Sequence, residues 1–206
     1  MTLDRREHWN SVYSIKAEQA VSWFENAPAV SLAMIEGTGL TPSTCVLDVG
    51  GGESRLVDQL LALGLTCVAV LDVSGAALAR ARKRLGIAAT TVRWIEADVT
   101  GDWTAPQVDI WHDRAVFHFL ITVEDRDRYR AHLRATLKPG GVAIIATFAP
   151  DGPAKCSGLD VTRYSPETLA HELGPDFTLV DARPHLHTTP AGAPQSFQYA
   201  AFQRQP

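Results

Sequence analysis

Cysteine is scarce in this 206-residue chain, which holds only Cys45, Cys67 and Cys156. An odd, sparse set is no disulfide framework, and Cys45 and Cys67 sit in apolar runs where a reduced cysteine acts as a small hydrophobe. Free thiols and a cytoplasmic location are therefore expected. No stretch approaches the ~18 uninterrupted apolar residues of a membrane span, and the first residues lack the apolar run of a signal peptide. Positive charge is also short: 19 Lys and Arg stand against 23 Asp and Glu, a net charge of -4. That balance argues against a broad grip on nucleic acid. No internal repeat, low-complexity tract or linker interrupts the chain, and its length suits one compact domain over 1–206.

What is present is alternation. Between about 43 and 148, short β-rich runs alternate with helical patterns, as a parallel sheet with crossover helices requires. Strands are expected at Thr44–Val49, Thr66–Asp72, Thr91–Ala97, Val108–His112 and Val142–Phe148. Helices are expected at Glu53–Leu63, Gly75–Leu85 and Val123–Leu137, the second capped by Ser74. Lys138-Pro-Gly-Gly reads as a tight turn into the fifth strand. Beyond it come a loop over 150–165, a short helix at Pro166–Leu173, and strands at Phe177–Pro184 and Phe197–Gln203. Residues 1–40 read as a mostly helical cap.

The central motif is Asp48-Val-Gly-Gly-Gly-Glu-Ser54, set between an apolar strand and a helix. Glycines there let the backbone turn sharply and approach a ligand, and the helix offers free amides. Asp72 ends the second strand, placed to accept both hydroxyls of a ribose, and Asp98 ends the third. The loop lacks the Gly-Lys-Ser/Thr of a P-loop, and within it no basic residue precedes Arg55 to neutralise phosphates. A nicotinamide dinucleotide would prefer Gly-x-Gly-x-x-Gly, where this chain has Arg55. A nucleoside without phosphates, needing carboxylates for ribose and amino groups, fits best.

Residues 44–148 resemble the core of class I S-adenosylmethionine (SAM) dependent methyltransferases. Gly50 and Gly52 match the first two glycines of that family's first motif, Gly51 lies between them, and Ser54 replaces the third. Leu71-Asp72-Val73-Ser74 is similar to the ribose-binding motif and Ala97-Asp98-Val99 to the adenine-contacting one. Val108 to Leu120 resembles the fourth motif, whose middle, here Asp113 and Arg114, borders the methionine moiety. The resemblance implies an α/β, doubly wound, mostly parallel seven-stranded sheet ending in an antiparallel hairpin. It also implies SAM as methyl donor and S-adenosylhomocysteine as product. His8-Trp9-Asn-Ser-Val-Tyr13 and Val21-Ser-Trp23-Phe24 resemble the family's cap, with Tyr13 and Trp23 closing over the cofactor.

The acceptor is less legible. His112-Asp-Arg-Ala stands where many amide- and adenine-nitrogen methyltransferases carry Asn/Asp-Pro-Pro-Tyr/Phe, which speaks against nucleic acid as substrate. A small molecule is the expected acceptor. A protein lysine or amine group is the alternative, and a SAM-binding module without catalysis is a third reading. His118, after the fourth strand, is a candidate general base or a helix-packing residue. Cys156, in the loop after the fifth strand, is a candidate acceptor-side residue or an incidental thiol. A metal site from Cys156 with His185 and His187 matches no zinc spacing, so no metal is expected. A monomer or homodimer is expected.

Overall fold

The computed structural model describes residues 4–206; the first three residues of the expected cap lie outside them. The central sheet has strands β1 (Cys45–Val49), β2 (Cys67–Asp72), β3 (Val92–Glu96), β4 (Val108–Arg114), β5 (Leu137–Phe148), β8 (Phe177–Thr188) and β9 (Pro194–Arg204). Its order is β3-β2-β1-β4-β5-β9-β8. Pairings from β3 to β5 are parallel, whereas β9 runs antiparallel to both neighbours. Six strands thus share one direction and β9 alone opposes them, the doubly wound seven-stranded architecture expected. A small hairpin, β6 (Lys155–Cys156) with β7 (Leu159–Asp160), occupies the loop after β5.

Continuous apolar runs such as Cys67-Val-Ala-Val-Leu become buried on both faces because helices cover both. Helices α2 (Ala29–Glu36), α3 (Leu56–Ala62) and α4 (Gly75–Leu85) press Ile35, Leu60 and Leu78 onto one face. Helices α5 (Val123–Thr136) and α6 (Pro166–Leu173) press Leu133 and Leu169 onto the other. Truncating a fully buried leucine such as Leu133 to alanine would cost about 2–5 kcal/mol. Helix α1 (Arg5–Ile15) starts at Asp4, whose side chain accepts from the Glu7 amide at 3.0 Å. It lies over the strand carboxyl ends. Asn10 Oδ1 anchors it there, accepting from Ser74 Oγ at 2.8 Å and from the Ala76 amide at 3.3 Å.

The structure corrects several local expectations. Cys45 and Cys67 are paired as a disulfide, not free thiols. They are register partners on adjacent parallel strands, with Cα atoms 4.5 Å apart, a separation that strand register sets and periodicity does not reveal. Helix α3 starts at Leu56 rather than Glu53, since the glycine turn continues through Arg55. The Lys138–Gly141 turn lies within β5 as an irregularity against β4. The last two strands extend beyond Phe177–Pro184 and Phe197–Gln203, so His185 and His187 lie in β8. Among the described residues no helix is long and apolar enough to cross a membrane.

Candidate active site

The carboxyl ends of β1, β2 and β3 meet under α1. Gly50 and Gly52 follow β1 with φ of 65° and 46°, in the left-handed region that favours glycine. A Cβ on Gly50 would stand 2.0 Å from a Val116 methyl, and one on Gly52 would stand 2.8 Å from Asp72 Oδ2 and 3.0 Å from the Tyr13 hydroxyl. Bare backbone is required here. A Cβ on Gly51 would stand 2.5 Å from Asp48 Oδ2.

The buried carboxyl of Asp48 is held from behind. Its Oδ1 lies 2.7 Å from His112 Nδ1, and His112 Nε2 lies 2.9 Å from Ser31 Oγ. A neutral imidazole donating Nδ1–H to the carboxylate leaves Nε2 to accept from the serine hydroxyl. Asp48 Oδ2 has no hydrogen-bond partner among the described residues although it is buried, a state that normally marks a place for a donor. Asp72 accepts from the Ser74 amide at 2.7 Å. Burial pushes its carboxyl up to about 7, and the charge of Asp48 adds to the displacement. Two buried acids thus share this corner, with only Asp48 backed by a histidine.

A cleft opens beside this corner. Leu71, Asp72 and Val73, then Ala97, Asp98 and Val99, line one end. Asp98 accepts from the Thr100 amide at 2.8 Å and hydroxyl at 2.7 Å, and pairs with Arg5 of the cap at 3.2 Å. Burial raises its carboxyl, but the Thr100 bonds and the Arg5 charge outweigh that and hold it below the usual range. The opposite end is formed by Phe148, Cys156, Gln195 and Phe197. Trp9, Tyr13, Trp23 and Phe119 line it between the ends. Trp9 packs against Trp23 and Phe119 at ring separations of 5.7 and 5.2 Å.

A second recess continues past the glycine turn, lined by Asp48, Gly51, Ser54 and His112, and shares Tyr13, Trp23, Gly50 and Arg114 with the main cleft. Ser54 Oγ accepts from the Leu56 amide at 3.1 Å, so it starts α3 while facing the recess. Arg114 stands between the two spaces, donating to Tyr199 Oη at 2.9 Å and to the Trp23 carbonyl at 3.0 Å.

Of the expected contact residues, Tyr13, Trp23, Gly50, Asp72, Val73, Asp98, Val99 and Arg114 face the main cleft. Asp48, Gly51 and Ser54 face the recess, and Gly52 lies against Asp72 and Tyr13. Asp113 does not join them. Fully buried, it accepts from the Val116 amide at 2.9 Å and the Tyr129 hydroxyl at 2.7 Å, holding the turn after β4 from beneath. Alternation along a strand puts adjacent side chains on opposite faces, so Arg114 and Asp113 cannot both face the cleft.

His118 is also displaced from its expected role. It is fully buried between Phe119 and Phe148, at ring separations of 4.5 and 4.8 Å, and is not part of the cleft wall. Burial and the Arg114 charge depress it to about 3, so it remains neutral. Cys156 does reach the cleft, but burial raises its thiol to about 11, against a reactive thiolate. Sequence reasoning missed Arg5, Phe148, Gln195 and Phe197 as wall residues. Their only signal is being apolar or polar at elements that the sheet order later brings together.

Residues 46–141 match a family described as a methyltransferase domain. No curated protein sequence matches the chain. Among solved structures, one concerning the conversion of a disulfide bond into a thioacetal group during echinomycin biosynthesis is similar at a TM-score of 0.78. Its identity is 19%, over 97% of this chain and 91% of that one. Another is the Burkholderia thailandensis 1,6-didemethyltoxoflavin-N1-methyltransferase with 1,6-didemethyltoxoflavin and S-adenosylhomocysteine bound. It gives a TM-score of 0.69 at 20% identity, covering 98% and 84% of the two chains. The N-methyltransferase NodS from Bradyrhizobium japonicum, in complex with S-adenosylhomocysteine, gives 0.73 at 17% identity, covering 98% and 99%. These likenesses establish the fold.

Proposed function

We propose that this chain is a class I SAM-dependent methyltransferase, a reading supported by the family match over residues 46–141 and by the fold, and that it methylates a small, largely apolar acceptor whose nucleophilic atom is uncharged at neutral pH. The observation that carries this reading is the single cleft running from Asp72 and Asp98 at one end to Phe148, Cys156 and Phe197 at the other. One end suits a nucleoside and the other a flat apolar molecule.

The residues present fit SAM. Asp48 Oδ2 is a buried acceptor awaiting a donor such as an ammonium group. Asp72 offers a carboxyl for ribose hydroxyls, and the Gly50–Gly52 backbone leaves the space that a Cβ would fill. Val73 and Val99 supply apolar walls, Asp98 a polar edge for adenine, and Ser54 and Arg114 border the methionine end. When bound, SAM supplies a sulfonium whose methyl group is already electrophilic.

The chain's own task is alignment and exclusion of water. Trp9, Tyr13 and Trp23 close the cleft from the cap, while Phe148 and Phe197 orient the acceptor face. The residues at the apolar end would hold the acceptor's lone pair in line with the methyl group that SAM would supply, S-adenosylhomocysteine being the product. Neither neutral, buried His118 nor the protonated Cys156 thiol is set up to remove a proton from the acceptor. An amine or ring nitrogen with a free lone pair needs no such base, and its proton can depart to water afterwards. The apolar end, walled by Phe148, Cys156 and Phe197, suits a small molecule better than the long charged side chain of a peptide lysine. The division into a cap (1–40), a core (43–148) and an acceptor-side segment (149–206) of one domain is part of the same proposal.

The test begins with calorimetric titration by SAM and by NAD, followed by S-adenosylhomocysteine release in the presence of heteroaromatic amines, phenols and lysine peptides. Micromolar SAM binding, silence toward NAD and turnover with the amines support the reading. Turnover with lysine peptides alone would replace the small acceptor, and silence toward SAM would overturn the proposal.

A further inference from the structure

A second cluster of chemistry-bearing groups lies where the cap meets the C-terminal hairpin. Glu25, between α1 and α2, faces His185 and His187 of β8, and one ligand atom from each lies within 4.8 Å of the others. Glu25 Oε1 is 3.6 Å from His187 Nδ1 and 3.7 Å from His185 Nε2. Both separations are too long for hydrogen bonds. They approach the ~3.4 Å between neighbouring ligand atoms of a tetrahedral zinc site with bonds of about 2.0–2.2 Å.

The decisive detail is on the far side of His187. Its Nε2 lies 2.7 Å from the Ser22 carbonyl, so that nitrogen carries the proton. In the neutral ring, Nδ1 then presents a lone pair to the Glu25 carboxylate. Two acceptors facing each other require something positive between them. A metal-ligating histidine characteristically donates its other ring N–H to a carbonyl in this manner.

Among the described residues Arg114 is the cation that already faces Glu25. Its Nη2 lies 3.2 Å from the same Glu25 oxygen. The guanidinium is independently fixed by Tyr199 Oη, by the Trp23 carbonyl and by stacking 4.9 Å over Phe197. It can therefore stay in place and bond a carboxylate that also ligates a cation.

We propose that Glu25, His185 and His187 form a binding site for a divalent cation of the zinc type. Two imidazoles and one carboxylate suit zinc, nickel or cobalt, and disfavour magnesium and calcium, which prefer oxygen ligands alone. Three protein ligands leave a position open for water or a ligand. Since Glu25 belongs to the cap and both histidines to β8, the ion clamps the cap to the hairpin beside the cleft. Glu25 also lines the recess that holds Asp48 and pairs with Arg114, but neither histidine lines that recess or the cleft, so the cation site does not rest on the methyl-transfer reading.

The test uses the full chain, stripped with chelator and titrated with zinc and with cobalt(II), reading bound metal, cobalt absorption and Tm. One equivalent is expected, with a spectrum of nitrogen and oxygen ligation lacking the thiolate charge-transfer band that Cys156 would give, and with a Tm that rises on adding zinc. His185→Gln should weaken zinc at least tenfold and abolish the Tm rise, while SAM titration of the variant reports that the fold is intact. His185→Cys should restore binding. No uptake at equimolar zinc, or uptake unaffected by His185→Gln in protein that still binds SAM, overturns the proposal. An imidazolium signal from His187 at neutral pH in metal-free and zinc-treated protein alike would overturn it too, identifying a plain ion pair with Glu25.

Discussion

Asp48 is held by His112 across a 2.7 Å contact, and that pairing turns one carboxylate oxygen backward and leaves the other bare. Ser31 completes the chain at 2.9 Å from the opposite ring nitrogen. All three side chains are buried, so the relay fixes the free oxygen without help from solvent. His112→Leu removes a hydrogen bond to a charged group, worth about 1.5–3 kcal/mol. SAM affinity should fall roughly 10- to 100-fold, while Ser31→Ala, which leaves the Asp48 contact standing, should cost less than about tenfold. Calorimetric titration of both variants checks the order. Equal losses would show that Ser31 matters through α2 packing instead.

Asp72 makes binding depend on pH. Its carboxyl is raised from 3.8 to about 7 in the unliganded fold, by burial first and by neighbouring Asp48 second. The folded state then holds a proton that the unfolded chain has released, so stability is present below the unfolded value and is lost as pH rises from about 4 to 7. Asp72→Asn should therefore raise the Tm of the cofactor-free protein at pH 8 while weakening SAM. The upper limit on the stabilisation is ~4 kcal/mol. Ribose hydroxyls favour the ionised carboxylate, so SAM binding at pH 6 should expel a proton. Titrations in buffers of different ionisation enthalpy would then give different apparent heats, and identical heats would exclude Asp72 as the proton source.

Gly52 is the point of the cradle where an added Cβ would meet both a carboxylate and the cap. An alanine there meets both Asp72 Oδ2 and the Tyr13 hydroxyl, at a φ of 46°. Gly52→Ala should cost the fold about 1–3 kcal/mol and bring SAM below detection by calorimetry. The control is Gly64→Ala, also at positive φ but with open space around the added methyl. It should destabilise the protein yet bind SAM normally.

Much of this arrangement was legible because it is local. Strand, glycine turn and helix follow one another from Cys45 to Ala62, and Asp72 and Asp98 terminate or follow neighbouring strands of a predictable order. What escaped depends on side-chain direction or on distant pairing. Asp113 and Arg114 are adjacent in sequence but face opposite sides of β4, and the motif frame alone does not say which one faces the cleft. Cys45 and Cys67 bridge because parallel register sets them side by side, whereas each alone looks like an apolar strand residue. His118 sits in a short helical turn whose burial is imposed by Phe148 of another strand. Glu25 carried no motif at all, and only the length of β8 brings two histidines beneath it.

The state of Cys156 separates a wall residue from a nucleophile. With its thiol raised to about 11 by burial, only about one molecule in a thousand carries a thiolate at pH 8, and thiolate is the form that attacks an alkylating agent. Iodoacetamide at pH 8 should therefore label Cys156 hundreds of times more slowly than glutathione, read by intact-mass spectrometry without reductant so that Cys45 and Cys67 stay paired. SAM, seated in the same cleft, should slow the labelling further by excluding the reagent. Cys156→Ser should leave SAM affinity within about threefold, since the replacement loses a small apolar contact and no charge. Rapid labelling at pH 7 would instead reveal an activated thiol, and would restore Cys156 as a candidate for covalent chemistry at the acceptor end.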